Sequence, residues 1–147
     1  MLEEHFIIDS RSKGIYLGLY GMDKKWWDVM KPEFEGKKYT SVDTCSYAEK
    51  APSLTGKNSG IGAMFLARNL GAEKIILLGY DCKAGADGKK HWHGSHKEGL
   101  ANAGSMPKWQ GQFLEVSNTF GDIEVLNCSR DTALNVFPKV TLEDALC

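Results

Sequence analysis

Three of the chain's four histidines fall within six residues, in His91-Trp92-His93-Gly94-Ser95-His96. Imidazole changes charge near neutral pH, so one of them suits a general base or acid. A second chemistry is metal ligation: His91 and His93 point the same way in an extended segment, and Asp81 or Cys82 could add a ligand. The spacing matches neither the HExxH nor the zinc-finger pattern. The plainest reading is a solvated polar loop. Trp92 would stack on a sugar or base, or pack as the anchor that holds the loop down.

Asp81 closes the run Lys74-Ile75-Ile76-Leu77-Leu78-Gly79-Tyr80. That places its carboxylate at the carboxyl edge of a parallel sheet, where open α/β folds hold their ligands; otherwise it caps the turn that follows. Gly56-Lys57-Asn58-Ser59-Gly60-Ile61-Gly62 opens a helix. A helix start offers unpaired N–H groups and a positive dipole end to an anion. The competing role for the same residues is structural, with Asn58 or Ser59 as the cap and Gly60 and Gly62 allowing close helix-sheet packing. Lys83, Lys89, Lys90 and Lys97 surround the histidine segment and favour a phosphate-bearing ligand, or serve only solubility.

The elements that must position these groups follow from apolar periodicity. Gly14 to Tyr20 reads as a strand, with Phe6 to Asp9 a candidate before it. Asp23 caps a short helix through Met30, stopped near Pro32. Lys38 to Val42 reads as a strand, and Asp43 to Lys57 as a long loop or partly helical segment. Ser59 to Leu70 places Ile61, Phe65 and Leu66 on one face of a helix that Gly71 stops. Lys74 to Asp81 is a continuous apolar run, the pattern of a strand covered on both faces and hence of a parallel sheet. Lys83 to Gly104 lacks periodicity and reads as a long functional loop. Met106 to Phe120 carries Trp109, Phe113, Val116 and Phe120 at helical spacing, and Ile123 to Cys128 forms a second helix-strand unit with it. Thr141 caps a last helical turn. Trp26 and Trp27 read as packing residues.

The expected fold class is thus α/β, a partial Rossmann-like parallel sheet with helices on both faces, in one domain over residues 1–147. The length of 147 residues, with 42% apolar and 25% charged residues, fits one domain. Such a chain buries about 70% of its unfolded surface, enough to fold without disulfide or metal staples. A net charge of −1, with basic and acidic residues interspersed, offers no stripe for nucleic acid. No apolar run approaches the roughly 20 residues that span a bilayer. The start Met-Leu-Glu-Glu-His is acidic where a secretory signal is basic and apolar, so a cytoplasmic location is expected. Cys45, Cys82, Cys128 and Cys147 show no CxxC spacing, which argues against a zinc cluster. Cys82 and Cys128 follow apolar runs that would be neighbouring strands.

The run from Asn58-Ser59-Gly60-Ile61 through Leu70-Gly71-Ala72-Glu73-Lys74 to Gly79-Tyr80-Asp81 resembles the core of bacterial sialyltransferases and their flagellin-modifying, motility-accessory-factor-like relatives. Phage-encoded proteins of unassigned function share the segment and resemble the chain further through the His-Trp-His-Gly-x-His loop and the Trp109 helix. The resemblance spans roughly Ile15 to Leu146 and is strongest from Asn58 to Trp109. It implies that Ser59 and Gly60 open the helix that holds a cytidine nucleotide. It also implies that a loop histidine is base on the acceptor hydroxyl. The family's His-Tyr-Ile-Gly-His is matched only as His91-Trp92-His93-Gly94, with Ser95 next and His96 one place late, so His93 and His96 both stand as the base. Cys82 and Lys83 occupy the places of family tyrosines that help the phosphate leave. The family's N-terminal glycine-asparagine-glycine phosphate loop has no counterpart, so the chain is expected to correspond to the C-terminal part of a larger fold.

Three functions fit. The first is a glycosyltransferase-like protein of phage or prophage origin that binds a cytidine or similar nucleotide-sugar. In it His96 or His93 is base, Asp81 shapes the site, Asn58, Ser59, Gly60 and Lys83 hold the nucleotide, and His91 and Trp92 meet sugar or acceptor. It requires no cofactor, and divalent metal is not expected. The second is a non-catalytic binding or assembly protein that keeps the fold core. The third is a metal-dependent phosphohydrolase built on His91, His93, His96 and Asp81. A truncated sheet would expose an edge, which suits a homodimer or a partner chain that supplies the missing N-terminal half.

Overall fold

The computed structural model describes residues 3–10, 14–51, 57–90, 100 and 104–147, with 3–10 and 14–17 described by their backbone alone. The chain divides into two compact units, Met1–Glu73 and Lys74–Cys147.

In the first unit, β1 (Glu3–Ser10) and β2 (Gly14–Gly21) form an antiparallel hairpin. β3 (Lys37–Thr40) runs parallel to β2, and β4 (Glu49–Lys50) parallel to β3, which makes a four-stranded sheet of order β1-β2-β3-β4. Between β2 and β3, the Asp23 side chain accepts from the Trp26 N–H at 3.1 Å and starts α1 (Lys24–Met30). The helix ends where Lys31 turns left-handed, at φ 40°. Trp27 is fully buried, and its indole N–H is shared between the Gly21 carbonyl at 3.1 Å and Thr40 Oγ1 at 3.2 Å. One side chain thus ties α1 to the ends of two parallel strands. Trp26 is buried too and meets the Trp27 ring edge-on, with centroids 5.0 Å apart. The helix α2 (Ser59–Asn69) lies against β1 and β2. It closes with a two-bond C-terminal motif, the Gly71 N–H donating to the Arg68 carbonyl and the Ala72 N–H to the Ala67 carbonyl. The core joins Tyr20, Tyr39 and Ala51 of the sheet side to Ala63 and Leu66 of α2.

In the second unit, β5 (Lys74–Leu77) pairs in parallel with β6 (Glu124–Asn127), from Lys74 opposite Glu124 to Leu77 opposite Asn127. The far side of β6 meets the tail: Asn127 N–H donates to the Pro138 carbonyl at 2.8 Å, and its carbonyl accepts from Val140 N–H at 3.2 Å. α3 (Met106–Ser117) continues into a 3-10 turn, Asn118–Phe120, and buries Trp109, Phe113, Val116 and Phe120. Phe113 packs edge-on against both Tyr80, at 5.9 Å between centroids, and Phe137, at 6.4 Å. Thr141 caps α4 (Leu142–Leu146) by accepting from the Asp144 N–H.

The chain is therefore mixed α/β with small parallel pairings. Among the described residues these pairings fall in two sheets, and an antiparallel strand joins the first. The apolar run from Lys74 behaves differently from expectation. Pairing stops at Leu77, and Leu78 is 56% exposed, so the run is not covered on both faces to its end. The reason is local: β6 offers only four residues of parallel partner, and past it Gly79 adopts φ 73°, which no strand continues. The segment from Asp43 to Lys57, read as a long loop or partly helical, contains the short strand β4. No helix among the described residues is long and apolar enough to cross a membrane.

Candidate functional site

The sequence-predicted residues fall in three places. Asn58, Ser59 and Gly60 lie at the start of α2, in the first unit. Asp81 and Lys83 lie beyond β5, in the second. His91, Trp92, His93 and His96 lie outside the described residues.

At α2 the structural role is visible. Asn58 is extended, and its Oδ1 accepts from the Ile61 N–H at 2.9 Å, while its carbonyl accepts from the Gly62 N–H at 3.0 Å. This is an N-cap, and it satisfies one of the donors that an anion would otherwise take. The turn is closed to solvent: Asn58 is 5% exposed, Ser59 and Ile61 0%, and Gly60 and Gly62 are buried. Gly62 is required by close approach, because a Cβ there would sit 2.6 Å from Tyr20 Oη and against the Tyr20 ring. Burial pushes the Tyr20 phenol above its ordinary pKa, and the nearby Ser41 side chain opposes this. Tyr20 Oη and Ser59 Oγ are both buried, with no partner that meets hydrogen-bond geometry among the described residues. Of the two roles open to Gly62 from sequence, packing is the one realised.

At the carboxyl edge of β5 and β6 the arrangement is open. The Asp81 side chain is exposed, and beside it Lys83 pairs with Asp131 from the segment after β6. Partial desolvation raises the Asp81 carboxyl above its usual range. The Asp131 charge raises it further, and Lys83 pulls it down. Cys82, the next residue, stands at φ 52°, a left-handed conformation that a side chain makes costly. Such strain persists only where surrounding contacts hold it.

Those contacts come from residues that the sequence reading passed over. Tyr80 N–H donates to Ser129 Oγ at 2.9 Å, and the Tyr80 carbonyl accepts from Thr132 Oγ1 at 2.6 Å. The Asp81 carbonyl accepts from Ala133 N–H at 2.8 Å. Asn127 and Ser129 are buried, at 0% and 2% exposure. A signal for them was present in Asn127-Cys128-Ser129-Arg130-Asp131-Thr132: polar side chains that directly follow a buried apolar strand must find partners. Neither Cys82 nor Cys128, which the strand reading could bring near each other, is in a disulfide; Cys128 is buried and directs its Sγ to the Thr141 carbonyl. An open depression of about 480 Å³ lies elsewhere in the second unit, along β6 beside Phe120, Ile123 and Phe137, and none of the predicted residues lines it.

No protein-family model, no curated protein and no solved structure matches the chain.

Proposed function

We propose that the protein binds a phosphate-bearing nucleotide-sugar of the cytidine type at the carboxyl edge of β5 and β6. In this reading it is glycosyltransferase-like, of the sialyltransferase and phage-protein kind that its sequence resembles. The observation that carries the reading is the placement of Asp81. Its backbone is anchored by Thr132 and Ala133 while its carboxyl stays exposed next to Lys83 and Asp131. That is where parallel α/β sheets put their ligands. Lys83 supplies the charge for a phosphate, Asp81 shapes the site and handles a proton, and His93 or His96 acts as base on the acceptor hydroxyl. Lys83 has three N–H donors, so it can meet a ligand while still paired with Asp131, or leave that exposed pair at little cost.

One observation favours a second reading, a non-catalytic binding protein. The turn that would cradle the nucleotide, Asn58-Ser59-Gly60, is capped from within and buried.

The test is a thermal-shift titration of the full chain with cytidine and uridine nucleotides, nucleotide-sugars and divalent metal ions. A ligand that binds only the folded state at 100 times its Kd adds about 2.7 kcal/mol. Saturable stabilisation by a cytidine nucleotide, reduced in Lys83→Met, is expected. Stabilisation by metal alone would favour the phosphohydrolase reading, and no shift with any nucleotide would overturn the proposal. Turnover of a nucleotide-sugar that survives both His93→Ala and His96→Ala would remove the histidine base.

A further inference from the structure

Asp81 is presented by a bracket whose parts all come from one short segment after β6. The groups on either side of its Cα are fixed from that segment: Tyr80 N–H by Ser129 Oγ, the Tyr80 carbonyl by Thr132 Oγ1, and the Asp81 carbonyl by Ala133 N–H. Thr132 Oγ1 works in both directions, because while donating to Tyr80 it accepts from Leu134 N–H at 2.9 Å. The segment is footed in turn on the Asn127 amide. Oδ1 accepts from Ser129 N–H at 3.0 Å, and Nδ2 donates to the Leu134 carbonyl at 3.1 Å. Asn127 itself is locked into β6, opposite Leu77. A buried amide thus grips both ends of the stretch that carries Asp131.

We infer that Thr132 and Ser129, footed on Asn127, are positioning residues that set how Asp81 faces Asp131 and Lys83. This goes beyond the ligand proposal in assigning roles to residues that touch no ligand. It rests on that proposal only for the importance of Asp81. Asp131 stands between Ser129 and Thr132 in the chain, so the same hydroxyls that hold the Asp81 backbone also hold the neighbouring charge in register with it. Among the described residues, two groups face the Asp81 carboxyl electrostatically, Asp131 and Lys83, and they are paired with each other. Loss of the bracket would let Asp131 draw away from the Asp81 carboxyl, and losing that like charge favours the ionised form.

The experiment is an NMR titration of the Asp81 side-chain carboxyl in the full-length protein, without ligand, for wild type and variants. In Thr132→Val, which keeps the shape and removes the hydroxyl, the Asp81 midpoint moves down toward the ordinary aspartate value. Thr132→Ser, which keeps the hydroxyl, restores the wild-type midpoint. Asp131→Asn lowers the midpoint in the wild-type background and lowers it less when Thr132→Val is already present. A merely structural role would reduce stability and leave the midpoint unmoved, so a folded Thr132→Val protein with the wild-type midpoint overturns the inference. If Thr132→Val does not fold, Ser129→Ala is read for the same two outcomes. No nucleotide enters the measurement, so failure here and failure of the nucleotide proposal are separate results.

Discussion

The start of α2 and the carboxyl edge of β5 and β6 were both candidate sites in sequence, and they are built in opposite ways. At α2 the polar groups face inward: Asn58 caps its own helix, Ser59 is fully buried, and Gly62 exists to let Tyr20 approach. At the β5 and β6 edge the inward polar work falls to Ser129 and Thr132, which hold backbone, and the charged side chains of Asp81, Lys83 and Asp131 are left outward. The difference teaches where to look for a ligand. A helix start whose own side chain caps it has already used part of its attraction for anions, whereas an edge that delegates backbone satisfaction to buried hydroxyls keeps its charges available.

The sharpest break in that contrast is Gly62→Ala. The added methyl would enter the space of the buried Tyr20 ring, and overpacking of this kind costs about 1–3 kcal/mol. Urea unfolding should show that loss, and a stability equal to wild type would mean that α2 is not seated as tightly as described. Asn58→Ala comes next. It removes the cap on Ile61 N–H and should cost about 1 kcal/mol, with nucleotide-induced stabilisation left intact. Loss of the nucleotide response with no change in stability would reverse the assignment and make α2 the ligand site.

The smallest effect has the most informative sign. Asp81 has its folded pKa raised by desolvation and by Asp131, so the folded state holds its proton more tightly than the unfolded chain does. The stability it contributes is present at acid pH, below the unfolded value of about 3.9, and is lost as pH rises through the folded value. Asp81→Asn should therefore be more stable than wild type at pH 7, by less than about 1 kcal/mol because solvent screens so exposed a group. The gap should close as pH falls toward the ordinary carboxylate range. A variant less stable than wild type at neutral pH would show that the Lys83 attraction outweighs the two opposing effects.

Much of the local architecture was legible without coordinates. The caps at Asp23, Asn58 and Thr141, the α2 and α3 helices and the β2 and β6 strands appear with boundaries close to those expected, and β5 starts where expected. These are signals carried by a few adjacent residues: a capping oxygen three residues before a free N–H, or an apolar residue every third or fourth place. What was not legible depends on partners distant in sequence. The two-residue strand β4 exists because β3 lies beside it, and the run from Lys74 ends as a strand at Leu77 because β6 ends at Asn127. The bracket under Asp81 joins hydroxyls some fifty positions away, Ser129 and Thr132 to Tyr80.

The sequence by itself thus determined the element types, the caps and the candidate chemistry, since backbone propensity and apolar period act over one or two turns of chain. Only the tertiary structure decided which candidate turn is closed and which edge is open. Whether a polar side chain is spent inside or left for a ligand depends on what packs against it: Tyr20 against Gly62 in one unit, and the 129–134 segment against Tyr80 and Asp81 in the other.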